Sequence, residues 1–173
     1  MKKLWLFVLT AVLLAGCSKQ TALETVSDVL DVPTAVPMQQ ILVQLPPELS
    51  TPAMQNAEVG TLYLCDTYSV TVQTAAGGDL QRTIRGATGM EKEDLQIIET
   101  AQGDCRRYQW VWTANTEEGI QIGRGCILDD GSYHYVLTAL AEEKAAEQLR
   151  PVWQEMFSSF RLVAGGEDLS TGS

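Results

Sequence analysis

The clearest alternation of apolar and polar positions runs from Gln96 to Ala141. Gln96 to Ala101 reads as a strand, Gln102-Gly103-Asp104 as a turn, and Cys105 to Thr113, Ile120 to Leu128 and Tyr133 to Ala141 as a three-strand meander. A period of two is what a sheet with alternating faces demands. Upstream, Leu62, Leu64, Tyr68, Val70 and Val72 keep one parity between Gly60 and Thr74, which predicts a strand or a hairpin broken near Asp66. Gly77-Gly78-Asp79 turns the chain, and Leu80 to Arg85 reads as a shorter returning strand. Thr88-Gly89-Met90-Glu91 has the form of a capping box, so a short helix is expected from Gly89 to Leu95. Leu149, Val152, Trp153, Met156, Phe157 and Phe160 recur at helical spacing within Glu142 to Phe160, where Pro151 should kink the helix or open its second half. The folded part begins at Ile41 to Leu45, a short apolar run stopped by Pro46-Pro47, a connector runs from Ser50 to Asn56, and Arg161 to Val163 reads as a last strand.

Turn chemistry predicts a register. A three-residue loop Glu117-Glu118-Gly119, with Gly119 left-handed, sets Trp110 opposite Cys126 and Trp112 opposite Arg124. Tyr108, Trp110 and Trp112 then share a face with Ile122, Cys126 and Leu128. Asp130-Gly131 is a two-residue hairpin signal that brings Tyr133, Tyr135 and Leu137 onto that face. The 142–160 helix is the expected cover of this aromatic core. His134 has the opposite parity to Tyr133 and Tyr135 and is expected to be a polar or partly exposed strand residue. A slip of one residue in either loop would redistribute the whole set.

Before these elements, Lys2 and Lys3 precede an apolar run from Leu4 to Leu14 that only Thr10 interrupts. The run is shorter than the ~20 residues a membrane-crossing helix needs. A basic start, a short apolar segment and small residues before a cut describe a secretory signal peptide over residues 1–16, cleaved after Gly16. Leu14-Ala15-Gly16-Cys17 resembles a bacterial lipobox, which implies that Cys17 becomes the lipid-bearing first residue of the mature chain. Residues 17–39, with Pro33, Pro37 and one weak helical patch at Leu23, Val26 and Leu30, read as a tether. Residues 40–163 form one domain, and 164–173 is a patternless tail.

Charge narrows the partners. The chain carries 12 basic and 22 acidic residues, and losing Lys2 and Lys3 takes its net charge from −10 to −12. Nucleic acid needs a basic footprint and is excluded as a partner. Adhesion to anionic lipid by charge is equally disfavoured, so the lipid on Cys17 is the expected link to the membrane.

Gly103-Asp104-Cys105-Arg106-Arg107-Tyr108, the Asp-Gly hairpin before Tyr133, and Arg150-Pro151-Val152-Trp153 through Met156-Phe157-Ser158-Ser159-Phe160-Arg161-Leu162 resemble the PsbP-like domains. The resemblance implies an α+β fold, an antiparallel meander covered by helices on both faces in an α/β/α sandwich. It also implies a role as an assembly or docking subunit, and it brings no catalytic residues with it.

Candidate chemistry is sparse. With Cys17 lipidated, three thiols remain, and a Cys65–Cys105 disulfide is open if their strands adjoin. A thiol enzyme or redox protein would need one of Cys65, Cys105 and Cys126 beside a base or cation such as His134 or Arg106. With one histidine and no paired Cys/His spacing, neither a metal site nor a cofactor is predicted. Arg82, Arg85, Arg106, Arg107 and Arg124 form a docking patch for an acidic partner if the fold gathers them. A small-ligand receptor would show an open pocket lined by Trp110 and Trp112. The expectation is therefore a membrane-anchored extracytoplasmic lipoprotein that binds a protein partner without catalysis, with the thiol enzyme and the small-ligand receptor as alternatives.

Overall fold

The computed structural model of the protein describes residues 36–56, 60–117 and 119–163. The signal peptide, Gly16, Cys17, the 21–30 patch and the 164–173 tail lie outside the described residues. Nine strands and two α-helices follow one another as β1 (Gln40–Leu42), β2 (Met54–Asn56), β3 (Gly60–Leu64), β4 (Tyr68–Ala76), α1 (Leu80–Thr88), β5 (Ile98–Gln102), β6 (Cys105–Thr116), β7 (Gly119–Asp129), β8 (Tyr133–Glu142), α2 (Glu143–Ser159) and β9 (Arg161–Val163) among the described residues. Seven strands form one antiparallel sheet in the order β2-β3-β4-β8-β7-β6-β5, and β1 pairs with β9 beside it. The fold is α+β, with a helix packed on each face of the sheet.

The two faces divide the core. On one, Val70, Cys126, Leu128, Tyr135 and Leu137 meet Trp153, Met156, Phe157 and Phe160 from α2 and the strand that follows it. On the other, Tyr108, Trp110, Trp112, Ile127 and Val136 meet Ile84 of α1. The predicted single aromatic face is therefore split. Thr116 pairs directly with Gly119, a loop one residue shorter than expected, so Trp110 lies opposite Gly125 and Trp112 opposite Gly123. The physical reason is room. A Cβ on Gly123 would sit 2.3 Å from the Trp112 ring, and one on Gly125 would sit 2.3 Å from the Trp110 ring. The expected register would have put the side chains of Cys126 and Arg124 in that space.

The second hairpin moves by two residues, which preserves the faces. Asp129 pairs with His134, and Tyr133, Tyr135 and Leu137 stay on the Cys126 side as expected. The Asp130 carboxylate accepts the backbone N–H of Ser132 at 2.9 Å and of Tyr133 at 2.7 Å, which puts Gly131-Ser132 rather than Asp130-Gly131 at the tip.

Residues 80–88 are helical where a strand was expected, and the capping box does not form. Asp79 caps α1 by accepting the Arg82 amide at 2.9 Å, and left-handed Gly89 ends it. Leu80, Thr83, Ile84 and Ala87 fall at i, i+3, i+4 and i+7 on the face that meets the sheet. Glu91 is held instead by Arg85 at 2.5 Å and Gln81 at 2.7 Å, and only a single 3₁₀ turn follows at Lys92–Asp94. The connector contains the short edge strand β2, and Leu49 just before it, in a 3₁₀ turn over Pro47–Leu49, is buried. The end of the expected tether is tied down as well: Tyr133 donates its hydroxyl to the Val36 carbonyl at 3.0 Å, and the Gln39 amide donates to the Tyr135 hydroxyl at 2.9 Å.

Substituting Gly125→Ala should force the Trp110 ring aside and lower stability by about 1–3 kcal/mol, the usual cost of overpacking. Urea unfolding should show a reduced midpoint at unchanged slope. A midpoint equal to that of the wild type would mean that the indole does not depend on the missing Cβ.

Candidate functional site

The predicted site residues do not come together. Cys65 follows β3 and Cys105 opens β6, with β4, β8 and β7 between them, and both are free thiols. The condition for a disulfide, adjoining strands, is not met. Cys126 is also free, fully buried, and its thiol is pushed up to about 12 by burial. Burial likewise raises the Cys105 thiol, with Asp130 and Asp104 adding to the effect. Neither thiol is poised as a thiolate at neutral pH. Among the described residues no cluster of His, Cys, Asp and Glu is suited to a metal ion.

His134 is buried rather than partly exposed, and it belongs to a polar row beneath α1. Arg106, Asp129 and His134 lie side by side across β6, β7 and β8. Arg106 donates to Asp129 Oδ2 at 2.7 Å, His134 Nε2 lies 3.9 Å from that oxygen, and His134 Nδ1 is 2.7 Å from Thr83 Oγ1. Thr83 Oγ1 also donates to the Asp79 carbonyl at 3.2 Å. Hydroxyl, imidazole and carboxylate meet here, yet Thr83 is 8% exposed and His134 1%, so no substrate reaches the hydroxyl. Burial lowers the His134 pKa, Asp129 acts against that, and Arg106 reinforces it. The row joins α1 to the sheet as a satisfied polar core.

The five arginines are shared between the two faces. Arg82, Arg85 and Arg106 are exposed on the α1 side, where Arg85 is paired with Glu91 and Arg106 with Asp129. Arg107 and Arg124 lie on the α2 side, because their strand partners Leu128 and Val111 do. Arg107 is buried and donates to the carbonyls of Phe157 at 2.5 Å and Phe160 at 3.1 Å and to Gln102 Oε1, while Gln102 also donates to Phe160 at 3.1 Å. These bonds satisfy carbonyls that the end of α2 leaves without partners. No five-membered patch exists.

The indoles of Trp110 and Trp112 are buried beneath α1, 3% and 6% exposed, so they do not line an open pocket together, and Trp110 alone of the two borders the groove on the α2 side. A different groove opens across the sheet. Every fully buried residue of α2 lies in its C-terminal half, at Trp153, Met156 and Phe157. The half before Pro151 stands above the β5–β7 end of the sheet over a cavity of about 670 Å³. Its floor is Ile98, Val111, Ile122 and Arg124 from the strands; Ala146, Arg150 and Trp153 form the helix side, and Glu143 and Glu147 stand at the rim. Ile98 is 64% exposed and Val111 59%, although both lie on the face that α2 covers elsewhere. Arg124 stacks over the Phe157 ring at 4.6 Å. The residues that make this groove are alternate positions of β5, β6 and β7 whose face depends on the register, so a register misread by one residue hid them.

No family model matches the chain, and no curated protein does. Solved structures are similar in fold. LpqN, involved in cell envelope biogenesis of Mycobacterium tuberculosis, shares 10% identity at a TM-score of 0.51, over 73% of this chain and 84% of that one. Cyanobacterial PsbP (CyanoP) from Synechocystis sp. PCC 6803 shares 8% identity at a TM-score of 0.45, over 71% of this chain and 82% of that one. Likeness at such identity bears on the fold alone, and for LpqN it agrees with a helix-covered antiparallel sheet.

The buried imidazole makes stability depend on pH. Its pKa in the folded protein lies below the unfolded value of about 6.5, so the unfolded chain takes up a proton that the native state refuses. That contribution is present above about pH 6.5 and is lost as pH falls below it. Between pH 7.5 and 5.5 the wild type should lose stability more steeply than a His134→Gln variant, with a difference in slope below about 1.4 kcal/mol per pH unit. Parallel pH profiles from urea unfolding would show that His134 is not the source.

Proposed function

We propose that the chain is an extracytoplasmic accessory lipoprotein. Lipidated at Cys17 after loss of residues 1–16, it presents a binding domain outside the membrane. The groove between α2 and the β5–β7 end of the sheet is its binding site, and it carries out no reaction. One observation carries this reading: Ile98 and Val111 are large apolar side chains left 64% and 59% exposed inside a concavity of about 670 Å³. Small-molecule sites are typically apolar clefts of about 300–1,000 Å³ with a few polar groups. Groups suited to catalysis support the non-enzymatic side, since the Thr83–His134–Asp129 row is sealed and Cys126 is buried with a raised thiol pKa. The fold shared with LpqN, a protein of cell envelope biogenesis, is compatible with a place in the envelope. Among the described residues no helix is long and apolar enough to cross a membrane.

Two measurements test this. Cells fed labelled palmitate should label the wild-type protein and not a Cys17→Ser variant; equal labelling of both, or of neither, would remove the anchor. The neutral fluorescent amine N-phenyl-1-naphthylamine should bind the purified protein saturably. Ala146→Trp, which fills the groove from the helix side, should weaken that binding about tenfold or more while leaving the unfolding midpoint in place. Undiminished binding by the filled variant would dismiss the groove.

A further inference from the structure

The groove holds two guanidiniums, Arg124 and Arg150, and two carboxylates, Glu143 and Glu147. Arg150 pairs with Glu147, and the lack of a partner at half-buried Arg124 points to the ligand. The chain carries a net −10; its guanidiniums at Arg85, Arg106 and Arg150 each have a carboxylate partner, while Arg82 and Arg161, which have none among the described residues, are exposed to water. Arg124 has none either. No described carboxylate lies within ion-pair distance of it, its side chain makes no hydrogen bond among the described residues, and its guanidinium stacks on the Phe157 ring, 4.6 Å away. The second arginine of this face, Arg107, spends its donors on uncharged oxygens of Gln102, Phe157 and Phe160. Burial and the neighbouring Arg107 both act against the charge on Arg124, and an incoming anion would relieve both. Stacking on a ring occupies the face of a guanidinium and leaves its in-plane N–H donors free, which is the geometry that grips a carboxylate with two parallel bonds.

From this we propose that the groove takes an aliphatic carboxylate, such as a medium-chain fatty acid. The carboxylate sits on Arg124, and the hydrocarbon lies along Ile98, Val111 and Ile122. This rests on the groove being the binding site. The groove's volume of about 670 Å³ suits a chain of that size. Glu143 and Glu147 at the rim are exposed, the latter 84%, so water screens their repulsion of the head group.

The test is competition against bound N-phenyl-1-naphthylamine on the full chain carrying Cys17→Ser, which takes no lipid. Decanoate should displace the probe at about one-tenth the concentration that decanol requires, the ratio a charge-assisted pair supplies. Arg124→Met keeps the cover on Phe157 and should bring the ratio to about one by weakening decanoate alone. Arg124→Lys should restore part of the preference. Equal displacement by acid and alcohol in the wild type, unaltered in Arg124→Met, would overturn the carboxylate subsite while leaving an apolar groove. Displacement by neither would overturn the groove itself, and the subsite with it.

Discussion

Two indole rings occupying the space that two glycines leave empty decide how this molecule is put together. Trp110 and Trp112 need neighbours without a Cβ, and Gly125 and Gly123 are the residues of β7 that provide them. A sheet changes faces with every residue, so that single fit fixes the destination of every side chain on β6 and β7. It sends the indoles to α1 and turns Val111 and Arg124 toward α2. Without it the groove would have different walls and its cation would lie among aromatic rings on the other side.

The same division explains why α2 covers only part of its face. Its grip lies at the C-terminal end, where Trp153, Met156 and Phe157 are buried and Phe160 follows them into the core. Each such side chain contributes roughly 1.5–3 kcal/mol when fully removed from water. Arg107 and Gln102 fasten that end further by bonding to the carbonyls of Phe157 and Phe160. The N-terminal half has no fully buried side chain and no comparable anchor, so it bridges the end of the sheet and leaves space beneath. The cavity follows from uneven anchoring of one helix.

The opposite face shows how polar groups can be plentiful without forming a reaction site. Asp79, Thr83, Asp129, His134 and Arg106 satisfy one another around the contact of α1 with the sheet, and the burial of Thr83 and His134 keeps substrate away. The two faces thus differ in kind. One is a closed core whose polar row is matched, although the Trp110 indole N–H beside it has no partner among the described residues, and the other retains a guanidinium with no counter-charge beside exposed apolar side chains.

The sequence by itself determined the strands of the meander, the Leu149 to Phe160 helix that covers it, the closing strand at Arg161, and hence the α+β class. Those signals are local, since periodicity and turn residues act within a few positions. It also carried the acidic balance and the resemblance at Leu14 to Cys17 on which the proposed anchor rests. Tertiary structure decided the rest. Whether Leu80 to Thr88 became helix or strand turned on Asp79 and Gly89 capping a segment whose apolar face had a sheet to bury against. Whether Trp110 lay opposite Cys126 or Gly125 turned on a single residue of loop length, for which the turn rules allow both answers and only ring volume against a missing Cβ discriminates. The groove inherits that decision. Ile98, Val111 and Arg124 look like ordinary strand residues in the chain, and become a site only when the helix above them is held at one end.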